Sequence, residues 1–180
     1  MSSSIEQEQE PGTTYPLLVR EASQADIRAI SELLGHAFAE FEALYTPQAY
    51  VATVLPIDGV RNRLNEGPVW VAERESAVIG TVGAISAANA LMVRGMAVHP
   101  VARGLGVAKR LLHEVEEFAR QNGYKQLSLF TTPFLSQAIP MYQAAGFCFT
   151  GETANPHGTN LLHMVKGLDM ESSDHEASES

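Results

Sequence analysis

Apolar residues recur at helical spacing at Ile27, Ile30, Leu33, Leu34, Ala37, Phe38 and Phe41, which predicts an amphipathic helix with one buried face. Ser23 is placed to cap its start, and Gly35 inside it predicts a bend. Before it, Leu17-Leu18-Val19 reads as a short first strand. Thr46-Pro47 pairs a capping residue with a proline suited to the first helical position, so a second helix is expected to about Leu55. A third short helical segment is expected around residues 60–65. From Pro68 the pattern becomes extended. Residues 69–73 and 77–85 read as strands joined by the polar Arg74-Glu75-Ser76 turn. Residues 91–98 make the fourth strand, where an internal Gly95 predicts a bulge or a close backbone approach. A long helix follows over about residues 104–121, with Val107, Ala108, Leu111, Leu112, Val115, Phe118 and Ala119 on one face and Asn122-Gly123 as its stop. Residues 127–131, 147–151 and 160–166 read as strands, with a short helix over 137–145 between the first two.

This order excludes a bundle and a sandwich. It predicts an α/β chain with a mixed sheet and helices packed on its faces, in which the crossover from residue 91 to 131 makes a parallel strand pair. At 180 residues the chain has room for one domain with a substantial core. That domain is expected over 16–168, between Ser/Glu-rich tails at 1–15 and 169–180 that have the composition of disordered segments. No apolar run approaches the roughly 20 residues needed to cross a bilayer, so no membrane partner is expected. The first ten residues lack the basic and apolar regions of a secretory signal. The lone Cys148 leaves no internal disulfide and fits a reducing compartment, so a cytoplasmic location is expected.

The net charge of −9 changes meaning once it is located. Eight of the 21 acidic residues lie before Arg20 or after Lys166 and leave 13 acids against 12 Lys and Arg in the body. A nearly neutral body offers no basic face for nucleic acid. Between Ser76 and His113 there is no acid, whereas Arg94, Arg103, Lys109 and Arg110 all fall there. These cations are either scattered on a solvated surface or form a rim around a polyanion.

The segment Val98-His99-Pro100-Val101-Ala102-Arg103-Gly104-Leu105-Gly106-Val107-Ala108-Lys109 favours the rim. A strand ends in Val-x-Pro, and an Arg/Gly turn then opens a helix. Free N–H groups and the positive end of the helix dipole make such a turn an anion site. Taken alone, the turn also fits a helix that merely starts after glycine. A dinucleotide fingerprint would need a third glycine where Lys109 stands, and no acidic ribose partner follows at the expected distance.

Arg103-x-x-Gly106-x-Ala108 resembles the acetyl-CoA pyrophosphate loop of the GCN5-related N-acetyltransferase (GNAT) superfamily. Downstream, Ala138-Ile139-Pro140-Met141-Tyr142-Gln143-Ala144-Ala145-Gly146-Phe147 is similar to the family's Ala-Ile-x-x-Tyr-x-x-x-Gly-Phe. The resemblance covers roughly residues 17–168. It implies a GNAT-like fold: a mixed, mostly antiparallel sheet of about six to seven strands, a splayed parallel pair formed by the fourth and fifth, and about four flanking helices. It implies acetyl-CoA as co-substrate, held by the backbone of Met96, Ala97 and Val98 along the pantetheine arm and by Arg103, Gly104, Leu105, Gly106, Val107, Ala108 and Lys109 at the phosphates. It also implies that Tyr142 is the general acid that protonates the leaving thiolate. No metal is implied, and the six histidines show no ligand spacing. Gly146 and Phe147 read as a helix stop and a buried strand start.

Two departures from the family pattern are local. Leu135 stands where many members carry a cofactor-contacting Asn, and Pro140 requires that its helix begin close by. A third concerns mechanism. Many members place a glutamate base on the fourth strand, and Leu91-Met92-Val93-Arg94-Gly95-Met96 has no carboxylate. Glu40, Glu42, Glu73 and His99 are candidate substitutes, or a water chain suffices. The acceptor is expected to be a primary amine, on a small molecule or a protein, shaped by residues 38–56 and 153–159. The chain is expected to be a monomer or a homodimer. Two readings stay open: an N-acetyltransferase working by direct attack in a ternary complex, or an acyl-CoA-binding module that lost turnover.

Overall fold

The computed structural model describes residues 16–168; the two tails expected to be disordered lie outside the described residues. Strands β1 (Leu18–Glu21), β2 (Val69–Arg74), β3 (Ala77–Ala87), β4 (Ala90–Val98), β5 (Gln126–Thr131), β6 (Cys148–Ala154) and β7 (Leu161–Gly167) form one sheet in the order β1-β2-β3-β4-β5-β7-β6. Only β4 and β5 run parallel; the other neighbours are antiparallel. The helices are α1 (Ile27–Phe38), α2 (Pro47–Thr53), α3 (Ile57–Glu66), α4 (Val107–Gln121) and α5 (Ala138–Ala144). The α/β mixed sheet with a parallel fourth and fifth strand is therefore as expected, flanked by five α-helices among the described residues.

The centre of the sheet is buried on both faces, whereas the edge strand β6 is largely exposed. Val69 and Val71 of β2 pack with Ile27, Ile30, Leu34, Phe38 and Val60 of α1 and α3. Trp70 and Ala72, pointing the other way, pack with Val107, Leu111, Val115 and Ala119 of α4. This two-sided burial is why β2 reads as a continuous apolar run instead of alternating. Contact between α4 and β3 is close: a Cβ on Gly80 would lie 2.6 Å from Val107 Cγ1 and 3.0 Å from Leu111 Cδ1.

Local chemistry accounts for the element ends. Ser23 and Asp26 form a reciprocal capping box around a 3-10 turn that leads into α1. Thr46 accepts from Ala49 N and Pro47 opens α2, as the Thr-Pro pair predicts. The β2–β3 hairpin turns through Glu75 and Ser76, both at positive φ, with Arg74 paired to Ala77. Both α4 and α5 close in left-handed glycines: Tyr124 N donates to Ala119 O and Phe147 N to Tyr142 O, the six-to-one bond of a Schellman stop.

Strand β6 runs to Ala154 and β3 to Ala87, beyond the expected 151 and 85, and three differences concern the helices. Helix α1 runs unbroken through Gly35. The long helix begins at Val107 rather than 104, because Gly104 and Gly106 both adopt φ +77 and keep the chain out of the helical region. The α3 segment spans ten residues, from Ile57 to Glu66, longer than the 60–65 core that its pattern showed.

Candidate functional site

Parallel pairing between β4 and β5 runs from Ala90–Gln126 to Val93–Leu129 and then stops. The cause lies on the other edge of β4. Gly83 pairs with Arg94 and Thr81 with Ala97, so Val82 stands opposite two residues, Gly95 and Met96. Gly95 takes φ +62 in this bulge. A bulge bends its strand and increases the local twist, and β4 leaves β5 at that point. The edge of β4 beyond Val93 thus has backbone groups unpaired by β5, and a cavity opens along it.

This first cavity, about 510 Å³, is lined by Met96, Ala97, Val98, Arg103, Gly104, Gly106, Val107, Ala108, Lys109 and Tyr142. Of the residues expected to hold the cofactor, only Leu105 is not on this wall; it is among the exposed large apolar side chains. At its far end the α4 start is uncapped by any side chain, and its first backbone bond is Arg110 N to Gly106 O. The N–H groups of Val107, Ala108 and Lys109 therefore have no acceptor within the helix. A Cβ at Gly104 or Gly106 would meet no atom within 4 Å. Their glycine requirement comes from φ and from leaving the approach to the backbone open.

The positive rim is smaller than the sequence suggests. Arg103 is turned onto α1, where Nη2 donates to Ala37 O at 2.9 Å and Nη1 pairs with Glu40. Arg110 pairs with Glu114 at 3.4 Å. Arg94 lines a different cavity. Lys109 alone of the four lines the first cavity with no salt-bridge partner among the described residues.

A second cavity of about 200 Å³ lies on the β5 side of the splay, lined by Tyr45, Thr53, Arg63, Val93, Arg94, Gly95, Leu129, Phe130, Thr131, Thr132 and Leu161. Phe38, Met96, Leu135 and Tyr142 line both cavities and mark their junction. Tyr142 is 8% exposed, with its ring edge-on to Phe147 at 5.8 Å. Burial pushes its phenol above the ordinary value, so it carries its proton at neutral pH. Pro140 sits in the first turn of α5, where a backbone N–H would find no helical acceptor.

None of the four candidate bases lines the second cavity. Glu40 pairs with Arg103 beside the first. Glu73 pairs with Arg20 between β1 and β2. His99 Nδ1 accepts from Val101 N at 3.4 Å, and its ring meets His36 edge-on at 5.3 Å. Glu42 sits on the 3-10 segment after α1 and faces neither cavity. Among the described residues, no Asp, Glu, His or Lys lines the second cavity.

The two segments expected to shape an acceptor pocket are tied together. Thr46 N donates to Thr159 Oγ1 at 3.3 Å, and Thr46 Oγ1 donates to His157 O. Tyr45 stacks edge-on with Phe134 at 4.8 Å, and burial raises its hydroxyl against the opposing hydrogen bonds of Thr132 and Thr53. Phe134, Thr131, Thr132 and Arg63 are residues that sequence reasoning missed. Only Gly95 carried a signal for Arg63: the guanidinium fills the space where its Cβ would be, the close approach that a strand glycine predicts.

The Acetyltransferase (GNAT) family model matches residues 29–147, the stretch that runs from α1 through both motifs. The chain belongs to the GNAT family. Among relatives, it is 37% identical over 113 residues to mouse "Probable N-acetyltransferase family 8 member 5", covering 57% of this chain and 50% of that one. Human "N-acetyltransferase 8B" is 38% identical over 90 residues, 47% of this chain and 40% of the relative. Zebrafish "N-acetylaspartate synthetase" is 40% identical over 86 residues, 47% of this chain and 30% of the relative. The chain spans about half the length of the curated relatives it matches, or less. The PaiA N-acetyltransferase of Thermoplasma acidophilum, solved with coenzyme A, superposes with a TM-score of 0.71 at 17% identity, over 84% of this chain and 99% of that one. In this GNAT fold Met96 at the splay, the glycine turn and Tyr142 all line the first cavity.

Proposed function

We propose that this GNAT domain is an acetyl-CoA-dependent N-acetyltransferase that acetylates a primary amine by direct attack in a ternary complex. The observation that carries the reading is the buried Tyr142 at the junction of two cavities, the larger bordered by the glycine turn and Lys109 and the smaller by Arg63, Arg94 and apolar residues. Acetyl-CoA would supply the acyl thioester. The free edge of β4 from Met96 to Val98 offers N–H and C=O groups to an amide-bearing arm. The N–H groups at the α4 start and Lys109 offer donors to phosphate oxygens. Tyr142 holds its proton at the point where thiolate charge would develop and donates it there. Since no Asp, Glu, His or Lys among the described residues lines the acceptor side, the amine loses its proton to water, and positioning by the two cavities supplies much of the rate. Relatives named N-acetyltransferases support the same chemistry. No helix among the described residues is long and apolar enough to cross a membrane, and one exposed free Cys148 fits a reducing, cytoplasmic setting.

A second reading, an acyl-CoA-binding module without turnover, is favoured by that same lack of a base. One experiment separates them. Calorimetric titration of coenzyme A should show binding by the wild type and at least 100-fold weaker binding by Gly106→Glu, whose carboxylate would occupy the anion turn. Thiol release with acetyl-CoA and a panel of amines should then show turnover on some member. Binding without release on any amine would leave the module reading standing, and unaltered binding by Gly106→Glu would refute the phosphate-turn assignment.

A further inference from the structure

The acceptor-side cavity holds two guanidinium groups and no carboxylate. Arg63, from α3, lays its guanidinium into the notch left by Gly95 at the β4 bulge. It makes no hydrogen bond or salt bridge with another described residue. Burial, together with the neighbouring charge of Arg94, lowers its pKa to about 10, which leaves it cationic at neutral pH. Arg94, one residue before the bulge, spends Nη2 on Glu66 Oε2 at 2.6 Å, while its Nε is buried with no hydrogen-bond partner. With Glu66 offsetting Arg94, the site keeps one net positive charge, at Arg63. Half-buried guanidinium donors with no protein acceptor are open to water or to the oxygen atoms of a ligand.

We infer that the acceptor is an amine that also carries one carboxylate, an amino acid with an apolar side chain, and that Arg63 is the anchor for that carboxylate. This rests on the transferase reading above. A guanidinium fork matches a carboxylate in plane and charge, and donates two parallel bonds. Val93, Leu129, Phe130 and Leu161 give the wall an apolar stretch that suits the side chain, beside the hydroxyls of Tyr45, Thr53, Thr131 and Thr132. At about 200 Å³ the space falls below the usual range for drug-sized ligands and fits a compact acceptor. An amine anchored between β4 and β5 faces the first cavity across Phe38, Met96, Leu135 and Tyr142, where the acyl group would be presented.

The test uses product-like probes, so it needs no turnover. With the protein saturated in coenzyme A, N-acetyl-L-leucine and N-acetyl-L-leucine methylamide are titrated by calorimetry. The wild type should bind the acid at least about tenfold more tightly, as a charge-assisted contact requires. Arg63→Met, similar in length but neutral, should bring the two probes within about threefold while coenzyme A affinity is unchanged. Arg63→Lys should keep part of the preference, because it retains charge and loses the fork. Equal binding of acid and amide by the wild type overturns the inference, whether or not the variants fold. Loss of both probes in parallel in Arg63→Met, with coenzyme A binding intact, also overturns it. A clear preference for the acid with no amine acetylated would instead sink the transferase reading and leave the anchor standing.

Discussion

Tyr142→Phe removes one O–H from the junction of the two cavities and leaves the ring in place. Its hydroxyl makes no hydrogen bond with another described residue, while the ring keeps its edge contact with Phe147 at 5.8 Å. Stability should therefore change by no more than about 0.5 kcal/mol, since no buried partner is orphaned. Turnover should respond very differently. A positioned general acid typically contributes about 10²- to 10⁴-fold, equivalent to about 3–5 kcal/mol of barrier. Because burial holds the phenol above its ordinary value, the wild type stays a proton donor through the neutral range, and the deficit of the variant should be flat from about pH 6 to 9. Thiol release at saturating acetyl-CoA and amine measures kcat, calorimetry measures coenzyme A affinity, and thermal melting measures stability. The expected outcome is a fall in kcat of at least about 100-fold, with affinity and midpoint unchanged. A kcat within about threefold of the wild type would refute the acid role. A loss confined to coenzyme A affinity would make Tyr142 a wall of the cofactor cavity and nothing more.

Two further outcomes follow from the same geometry. With no Asp, Glu, His or Lys among the described residues lining the acceptor cavity, kcat/KM should climb about tenfold per pH unit until the amine's own pKa is reached; a plateau beginning near pH 6–7 for an amine of pKa about 9 would reveal an enzyme base. Asp26 is held at about 2 from an ordinary 3.8, chiefly by the Arg20 hydrogen bond. A depressed carboxylate stabilises the fold above its unfolded pKa, and that stabilisation is lost as pH falls toward about 2. Asp26→Asn should accordingly cost about 1–2 kcal/mol at pH 7, allowing for screening at half-exposed Arg20. The gap to the wild type should close between about pH 4 and 2 in urea melts, and a gap constant with pH would refute the linkage.

The elements that sequence reasoning placed well share one property: their signals are local. The capping residue Thr46, the stop at Gly146 and the apolar stripe of α4 each act within a few residues of chain, so spacing alone reveals them. Where the reading slipped, a neighbour elsewhere in the chain decided the outcome. Gly35 read as a bend, yet the helix continues because Ile30, Leu33, Leu34, Ala37 and Phe38 are all buried on either side of it. Arg94 and Arg103 read as one rim with Lys109. They diverge because Arg94 lies on β4 while Arg103 lies in the turn before α4, and Glu66 and Glu40 hold the two guanidinium groups in different places.

By itself the sequence determined the α/β order, the parallel fourth and fifth strands, the glycine turn at the start of α4 and the tyrosine downstream, each encoded by residues close together in the chain. Only the tertiary structure decided where β4 parts from β5, which cations face which cavity, and that Arg63 reaches the bulge at Gly95 from a helix some thirty residues away. The physical reason is range. Capping, periodicity and positive φ are set by a residue and its near neighbours, whereas a cavity and its charge are properties of surfaces that meet only when the sheet closes between its helices.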